Sequence, residues 1–249
     1  MRYFGKTDKG MVRTDNQDNF KCFEYSDALV CILCDGMGGV SCGRLASELA
    51  IDSFVEKFTE LSKPYVKSPS AYSLSMKKII ENSVIYANKV VYNKSFELGS
   101  PREMGTTLVC AVIYSGTLYV ANVGDSRLYE YQSQSLTRLT KDHSYVQFLL
   151  DIGKIKNSEA QDYENNVITR AIGLDQDVEV DTYVIDQDPE SVYLLCSDGL
   201  YNMVGEDTIN TILDGVTSEM DICQVVDELV ATALEEGGLD NITAVIIAP

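Results

Sequence analysis

Residues 28–39 read Ala-Leu-Val-Cys-Ile-Leu-Cys-Asp-Gly-Met-Gly-Gly, an apolar run that meets an aspartate and then three glycines. A continuous apolar run of this length, bounded by glycines, is typical of a strand that is buried on both faces. The sequence therefore predicts a strand over residues 28–34 that ends at Asp35. Helical spacing of apolar residues follows over 40–61 and predicts a helix there.

Other predicted strands also begin or end at an acidic residue. The aspartates at these strand ends, together with the one just quoted, are Asp18, Asp35, Asp125, Asp198 and Asp240. Strand ends along one edge of a sheet converge in space, so we expect these carboxylates to form one cluster. The alternative is that Asp-Gly is turn chemistry. That alternative is strongest at Gly124-Asp125, which lies between two predicted strands as a hairpin turn would.

A cluster of ionised carboxylates repels itself and raises its own pKa values, and divalent cations remove this conflict. Carboxylate, carbonyl and water oxygens suit Mg²⁺ or Mn²⁺. The chain has a single histidine, His143, which excludes a histidine-based zinc site and leaves one candidate for a Ser-His-Asp triad. No phosphate-binding P-loop occurs in the sequence.

The remaining apolar patterns fall into blocks. A second helix is predicted over 73–96, with Leu74 on its apolar face, and a third over 220–235. The predicted strands are 19–23, 28–34, 106–114, 117–123, 127–131, 178–185, 191–196 and 242–247. Because helices and strands do not alternate, the pattern favours an α+β sandwich over a doubly wound sheet. The polar stretch 144–166 is predicted to be a surface flap.

Composition limits the choice of partners. The chain has 249 residues, of which 45% are hydrophobic, so we expect one large domain, with two small domains as the alternative. Its 20 Lys and Arg against 38 Asp and Glu give a net charge of −18, which a nucleic-acid backbone or an anionic membrane would repel. Neither is expected as a partner.

The cysteines and the first residues of the sequence indicate the cellular compartment in which the protein is expected. Seven scattered cysteines do not form a disulfide framework, and residues 1–6 lack an apolar signal core. Cys31 and Cys34 lie three apart on a predicted strand, so their side chains should point to opposite faces rather than share a zinc ion. A reducing cytoplasm is the expected location.

Seven short motifs occur in order along the chain and carry a family resemblance. They are Arg13-Thr14-Asp15-Asn16-Gln17-Asp18, Asp35-Gly36-Met37-Gly38-Gly39, Gly105-Thr106-Thr107, Gly124-Asp125-Ser126-Arg127, Ile168-Thr169-Arg170-Ala171-Ile172-Gly173, Ser197-Asp198-Gly199-Leu200 and Asp240-Asn241-Ile242-Thr243. The sequence resembles the metal-dependent Ser/Thr protein phosphatases (PPM, the type 2C class) in their compact bacterial form. The resemblance covers about residues 10–248.

The resemblance implies a four-layer α/β/β/α fold over residues 1–249, with a central antiparallel β-sandwich flanked by helix pairs. It places the metal site at one end of the β-sandwich, near the flap. Two core Mg²⁺ or Mn²⁺ ions and a weaker third ion are implied. The residues that the resemblance assigns to these ions are Asp18 (mostly through water), Asp35 (bridging), Gly36 (by its carbonyl), Asp125 (third ion), Asp198 and Asp240.

The implied activity is hydrolysis of phosphoserine and phosphothreonine by direct attack of a hydroxide shared between two ions, with Arg13 binding the phosphate. Phosphorylated proteins, as substrates of a Hanks-type Ser/Thr kinase, are the implied partners, and a monomer is expected. A phosphatase for an anti-sigma-factor antagonist would share this chemistry. An inactive family member that acts as a binding module is the alternative from another class, although it would typically have lost metal-site aspartates.

Some positions depart from the family pattern. Met37 stands where eukaryotic members often carry a histidine proposed as the general acid, and Gln17 stands where many members have glutamate. Residues 162–166 are acidic where bacterial relatives are more basic, which should change the choice of phosphopeptide. His143 matches a family position, but a structural role is the better expectation for it.

Overall fold

The computed structural model describes residues 1–39, 42–156, 158–159, 167–216 and 221–249, in which eleven strands and six α-helices form. All strand pairs are antiparallel. One sheet has the order β2 (Asp18–Tyr25), β3 (Ala28–Gly38), β5 (Leu108–Tyr114), β6 (Thr117–Val123) and β9 (Asp181–Asp186), and β4 (Met104–Thr106) pairs with the end of β3. The other has the order β1 (Arg2–Asp8), β11 (Ile242–Ala248), β10 (Val192–Cys196), β7 (Arg127–Gln132) and β8 (Ser135–Arg138).

Helices cover both outer faces of the paired sheets. Helices α1 (Cys42–Ser62) and α2 (Pro69–Glu97) pack on the β3 sheet. Helices α4 (Asp198–Val204), α5 (Glu206–Leu213) and α6 (Ile222–Glu235) pack on the β10 sheet. The predicted four-layer α/β/β/α sandwich is confirmed, with three helices rather than a pair in the second helical layer.

Strand β3 shows how the layers are built from alternating side chains. Cys31 and Leu33 enter the core between the two sheets, whereas Ile32 and Cys34 pack under α1 and α2. The continuous apolar run in the sequence is therefore a strand buried on both faces. Cys31 and Cys34 point to opposite faces, and all seven cysteines are free thiols.

The β2–β3 hairpin fixes the register of two acidic residues. Its two-residue turn, Ser26-Asp27, has positive φ at both positions (50° and 65°), as a type I′ turn requires. The pair beside the turn is Tyr25 with Ala28, and the last pair is Asp18 with Asp35. Hydrogen-bonded and non-hydrogen-bonded pairs alternate along such a ladder. Counting from the turn makes Asp18 and Asp35 a non-hydrogen-bonded pair, whose Cα atoms are about 4.5 Å apart.

Several elements differ from the sequence predictions. Strand β3 continues past Asp35 to Gly38, and Leu74 of α2 is 88% exposed rather than buried. Gly124-Asp125 is not a hairpin turn, because β6 and β7 belong to different sheets. The sequence did not predict β1, β4, β8 or the short helices α3 (Tyr145–Asp151), α4 and α5.

The predicted flap is described only in its first half. Val146, Leu149 and Ile155 form a small buried cluster around α3. The acidic residues 162–166 lie outside the described residues, as do the predicted starts of two helices at 40 and 220. None of the helices in the described ranges is long and apolar enough to cross a membrane.

The layer under α1 depends on an aromatic cluster, and its loss should be costly. The ring of Phe58 is fully buried and lies 5.8 Å from the ring of Phe54 and 6.1 Å from that of Phe23, centre to centre. We expect Phe58→Ala to lower the free energy of unfolding by about 3–5 kcal/mol in urea denaturation. Leu74→Ala, on an exposed face, should change it by less than about 0.5 kcal/mol. Equal effects of the two substitutions would contradict this packing.

Candidate metal centre

A cleft of about 400 Å³ opens at one end of the sandwich, where strands of both sheets end. Four of the predicted aspartates line it together with Arg13: Asp35, Asp125, Asp198 and Asp240. Asp18 does not line the cleft. It is 6% exposed and lies beside Asp35 as its cross-strand partner. The structure thus brings all five predicted aspartates to one place.

Each sheet contributes some of these aspartates. The β2–β3 hairpin carries Asp18 and Asp35 in one sheet. In the other sheet, Asp198 follows β10 at the start of α4, and Asp240 lies just before β11. Asp125 occupies the connection that crosses from β6 to β7. The cleft therefore lies where the two sheets meet.

Two glycines allow the backbone to pack closely around the aspartates. A Cβ on Gly36 would collide with the carbonyl oxygen of Gly43 at the start of α1. A Cβ on Gly199 would collide with the carbonyl oxygen of Asn241. Each glycine directly follows a metal-site candidate, so close packing holds Asp35 and Asp198 in place and leaves no room for a side chain beside them.

Asp18 has one satisfied and one free carboxylate oxygen. The hydroxyls of Ser197 and Thr243 donate to its Oδ2 over 2.7 and 2.6 Å. Its Oδ1 is buried and has no hydrogen-bond partner. Burial raises the pKa of Asp18 to about 6, against the opposing effect of these hydrogen bonds. A buried, unpartnered carboxylate oxygen is costly unless a cation or a water molecule reaches it.

Asp35 lies at the electrostatic centre of the group. Its backbone N–H donates to the Oγ1 of Thr107 over 2.9 Å, and its carbonyl accepts from the Thr107 N–H over 2.8 Å. Burial, followed by the charges of the other four aspartates, raises the pKa of Asp35 well above its usual range.

Asp198 and Asp125 both line the cleft, and their charges interact. Burial and then the charge of Asp125 raise the pKa of Asp198 to about 7. Burial raises the pKa of Asp125 to about 6. The Oδ1 of Asp198 is buried without a partner, while its Oδ2 accepts a hydrogen bond from the Nδ2 of Asn202 over 3.3 Å.

This donor set fits a hard divalent cation. The acidic ligands offer only oxygen, two buried carboxylate oxygens lack partners, and burial together with neighbouring negative charges raises the pKa values of Asp35 and Asp198. Among the described residues, no three acidic, histidine or cysteine side chains stand close enough to hold one ion by themselves. Mg²⁺ and Mn²⁺ sites commonly complete their shells with water, so a few carboxylates around a polar cleft suffice.

The segment that carries Arg13 is positioned by Asn241, a residue to which the sequence motif assigned no role. The Nη2 of Arg13 donates to the Oδ2 of Asp240 over 2.7 Å, and the Arg13 side chain is 56% exposed. The Nδ2 of Asn241 donates to the carbonyls of Lys9 and Asp15, each over 2.9 Å. Asn241 thus ties the segment that carries Arg13 to the start of β11. Its place in the motif that begins at Asp240 was the signal in the sequence.

The positions that depart from the family pattern fall in two places. Met37 and Gln17 both line the cleft. His143 does not: its Nδ1 accepts from the Gly124 N–H over 3.0 Å, and its Nε2 lies 3.3 Å from the Oδ2 of Asp181. Burial and the charge of Arg170 lower the pKa of His143, so the ring is neutral near pH 7. These contacts support a structural role.

The raised carboxyl pKa values predict how stability depends on pH in the metal-free protein. Because the folded pKa of Asp198 (about 7) exceeds the value near 3.9 of an unfolded chain, folding binds a proton between these pH values. Stability is therefore lost as pH rises through 7. We expect Asp198→Asn to stabilise the metal-free protein by roughly 1–3 kcal/mol at pH 8, and by much less at pH 5. Urea unfolding in EDTA at both pH values measures this; a gain independent of pH would contradict it.

Comparison with known proteins agrees with the geometry. A sequence model of the family described as Protein phosphatase 2C matches residues 12–236. The serine/threonine phosphatase stp of Listeria monocytogenes is 36% identical over 247 residues, which cover 97% of this chain and 93% of that protein. The crystal structure of the Mycobacterium tuberculosis serine/threonine phosphatase PstP/Ppp superposes with a TM-score of 0.84 at 29% identity, covering 98% of this chain and 97% of that one.

A second solved structure bears on the metal. The catalytic domain of the serine/threonine protein phosphatase PstP, in complex with two manganese ions, superposes with a TM-score of 0.81 at 30% identity, covering 98% of this chain and 96% of that one. The chain therefore belongs to the protein phosphatase 2C family and is a serine/threonine protein phosphatase of the bacterial type.

Proposed function

We propose that this phosphatase hydrolyses phosphoserine and phosphothreonine in proteins with the help of Mg²⁺ or Mn²⁺ bound in the aspartate cleft. The observation that carries the proposal is the convergence of five aspartates around one cleft, with buried oxygens of Asp18 and Asp198 unpartnered. The relative with two manganese ions supports a metal-dependent reaction.

The proposed ligands are those that the family resemblance implies, and the positions of the side chains support them. Asp35, at the centre of the group, would be shared by two ions, with the Gly36 carbonyl beside it. Asp198 and Asp240 would complete the direct ligands from the other sheet. Asp18 lies beside Asp35 and does not line the cleft, which supports the implied role of acting mostly through water. The Asp125–Asp198 pair would hold a third, weaker ion.

Arg13 would bind the phosphate of the substrate. Its planar guanidinium offers parallel donors that match phosphate oxygens, and its exposed position at the cleft mouth leaves room for a substrate. Asp240 now holds the Arg13 side chain. Engagement of Asp240 by a cation would free Arg13 to bind the phosphate, so cation binding and substrate binding would support one another.

When bound, the divalent ions lower the pKa of a coordinated water and so supply the nucleophile for direct hydrolysis. Arg13 offsets the negative charge of the phosphate oxygens as the bond to the leaving group breaks. The described residues that line the cleft include no histidine, cysteine, lysine or tyrosine. A carboxyl group of this described lining could deliver the proton to the leaving alkoxide.

The proposed biological role is reversal of Hanks-type Ser/Thr kinase signalling. The acidic surface of the chain, with a net charge of −18, makes the metal–Arg13 site the attractive point for an anionic phosphopeptide. Phosphoproteome comparison with and without the gene tests this role: sites phosphorylated by such a kinase should gain occupancy when the gene is absent, and unchanged occupancy would refute it.

Metal dependence gives the direct test of the activity. We expect turnover of a phosphothreonine peptide with Mn²⁺ and none in EDTA. Because even residues that merely orient metal ligands contribute 10–100-fold, Asp198→Asn should lower kcat/KM by about 100-fold or more. Asp227→Asn is the matched control, since Asp227 is an exposed residue of α6 that forms a salt bridge with Lys6. Turnover that persists in EDTA, or full activity of Asp198→Asn, would refute the proposal; an inactive protein that does not bind Mn²⁺ would support the binding-module alternative.

Phosphate binding by Arg13 predicts a different kinetic change. Hydrogen bonds to charged groups contribute about 1.5–3 kcal/mol, so Arg13→Ala should lower kcat/KM by about 10–100-fold, chiefly through a higher KM. Arg13→Lys should recover only part of this loss, because an ammonium group lacks the forked donors. Arg102→Lys, at an exposed ion pair with Asp175, serves as the control. Full recovery by lysine would contradict bidentate binding.

A further inference from the structure

The loop that carries Asp125 is held by side chains from other parts of the chain. The Gly124 N–H donates to the ring Nδ1 of His143. The Gly124 carbonyl accepts from the backbone N–H of His143 over 2.9 Å. The hydroxyls of Ser126 and Thr107 are hydrogen-bonded at 2.7 Å. Since Thr107 also binds the backbone of Asp35, the Asp125 loop is tied to the centre of the cleft.

Tyr201 provides the contact with the next metal-ligand candidate. Its hydroxyl donates to the carbonyl oxygen of Asp125 over 3.1 Å. Tyr201 lies on α4, three residues after Asp198, so one short rigid helix carries both the hydrogen-bond donor and the second carboxylate. The hydrogen bond therefore joins the backbone of Asp125 to the helix that carries Asp198.

A buried arginine holds the ring of Tyr201 in this position. The guanidinium carbon of Arg127 lies 3.5 Å from the centre of the Tyr201 ring, in cation–π contact. Arg127 is itself fixed by Asp142, with Nε donating over 3.0 Å and Nη2 over 2.7 Å, and its side chain is only 14% exposed. Tyr201 is thus fixed both by its ring and by its hydroxyl.

We propose that Tyr201 is a positioning residue that sets the separation of Asp125 and Asp198 and thereby the affinity of the weaker ion site between them. The inference rests on the proposed function for the ion assigned to this pair. Tyr201 touches neither the substrate nor an ion in this arrangement. It acts through the Asp125 carbonyl, whereas the core group of Asp35 and Asp240 has no contact with its hydroxyl.

Mn²⁺ titration of the full chain, followed by the electron paramagnetic resonance signal of the free ion, tests this proposal. Tyr201→Phe keeps the ring beneath Arg127 and removes only the hydroxyl. A single hydrogen bond to a backbone carbonyl corresponds to about a three- to tenfold change, so we expect the weaker class of sites to lose affinity by that factor. The tighter class should bind as in the unaltered protein.

Two reference variants make the result specific. Asp125→Asn should remove the weaker class altogether. Tyr131→Phe is the matched control, because it also removes a hydroxyl that donates to another residue, the carboxylate of Asp214 at the end of α5. It should leave both classes unchanged. The unfolding temperature in EDTA shows whether each variant is folded.

Each outcome decides the question. An unchanged weaker class in Tyr201→Phe overturns the positioning role while leaving the third ion and the phosphatase activity in place. Equal loss in both classes also overturns it, because Tyr201 would then merely support the fold. If the unaltered protein has no weaker class, the third ion and the positioning role fail together, whereas Mn²⁺-dependent turnover would still establish the proposed function.

Discussion

Mutual repulsion among five carboxylates at the open end of the β-sandwich is the constraint on which the site depends. The pKa values of Asp18, Asp35, Asp125 and Asp198 are all raised, and burial is the first cause in every case. Flexible acidic loops would relieve such repulsion by separating. Here the carboxylates lie on or directly beside the ends of packed strands, so protonation or a cation relieves the repulsion.

The surroundings of the cleft hold the aspartates without neutralising them. Ser197, Thr243, Thr107 and Asn241 supply neutral hydroxyl and amide groups that fix particular oxygens or backbone atoms. Among the described residues, the salt bridge from an arginine to one of these aspartates is that of the exposed Arg13 with Asp240. A framework built in this way keeps its negative charge available for ions that enter from solvent.

The sequence was most informative where strands are buried on both faces. Strands β3, β10 and β11 are continuous apolar runs, so both their existence and the aspartates at their ends could be predicted. Strand β1 has a mixed, half-exposed sequence and is held by its pairing with β11, which lies more than 230 residues away, so local patterning does not reveal it. The short helices α4 and α5 likewise depend on packing against α6.

The site shows the same division between local and distant signals. Convergence of the aspartates followed from strand ends, but the partners that orient them did not. Asn241 binds the carbonyl of Asp15, and Tyr201 binds that of Asp125, across separations of 226 and 76 residues. Such pairs form only when the layers of the fold assemble. An asparagine or a tyrosine at these positions does not by itself predict which carbonyl it will bind.

The type I′ turn at Ser26-Asp27 has a consequence at the opposite end of its hairpin. Seven residue steps, roughly 24 Å of strand, separate Tyr25 from Asp18. Because side chains alternate between the two faces of a sheet, this spacing determines on which face the Asp18 side chain lies. One residue inserted into β2 would turn Asp18 toward α1 and leave Asp35 unpaired. Surface hairpins usually tolerate insertions, but the length of this hairpin fixes the position of an aspartate of the proposed metal site.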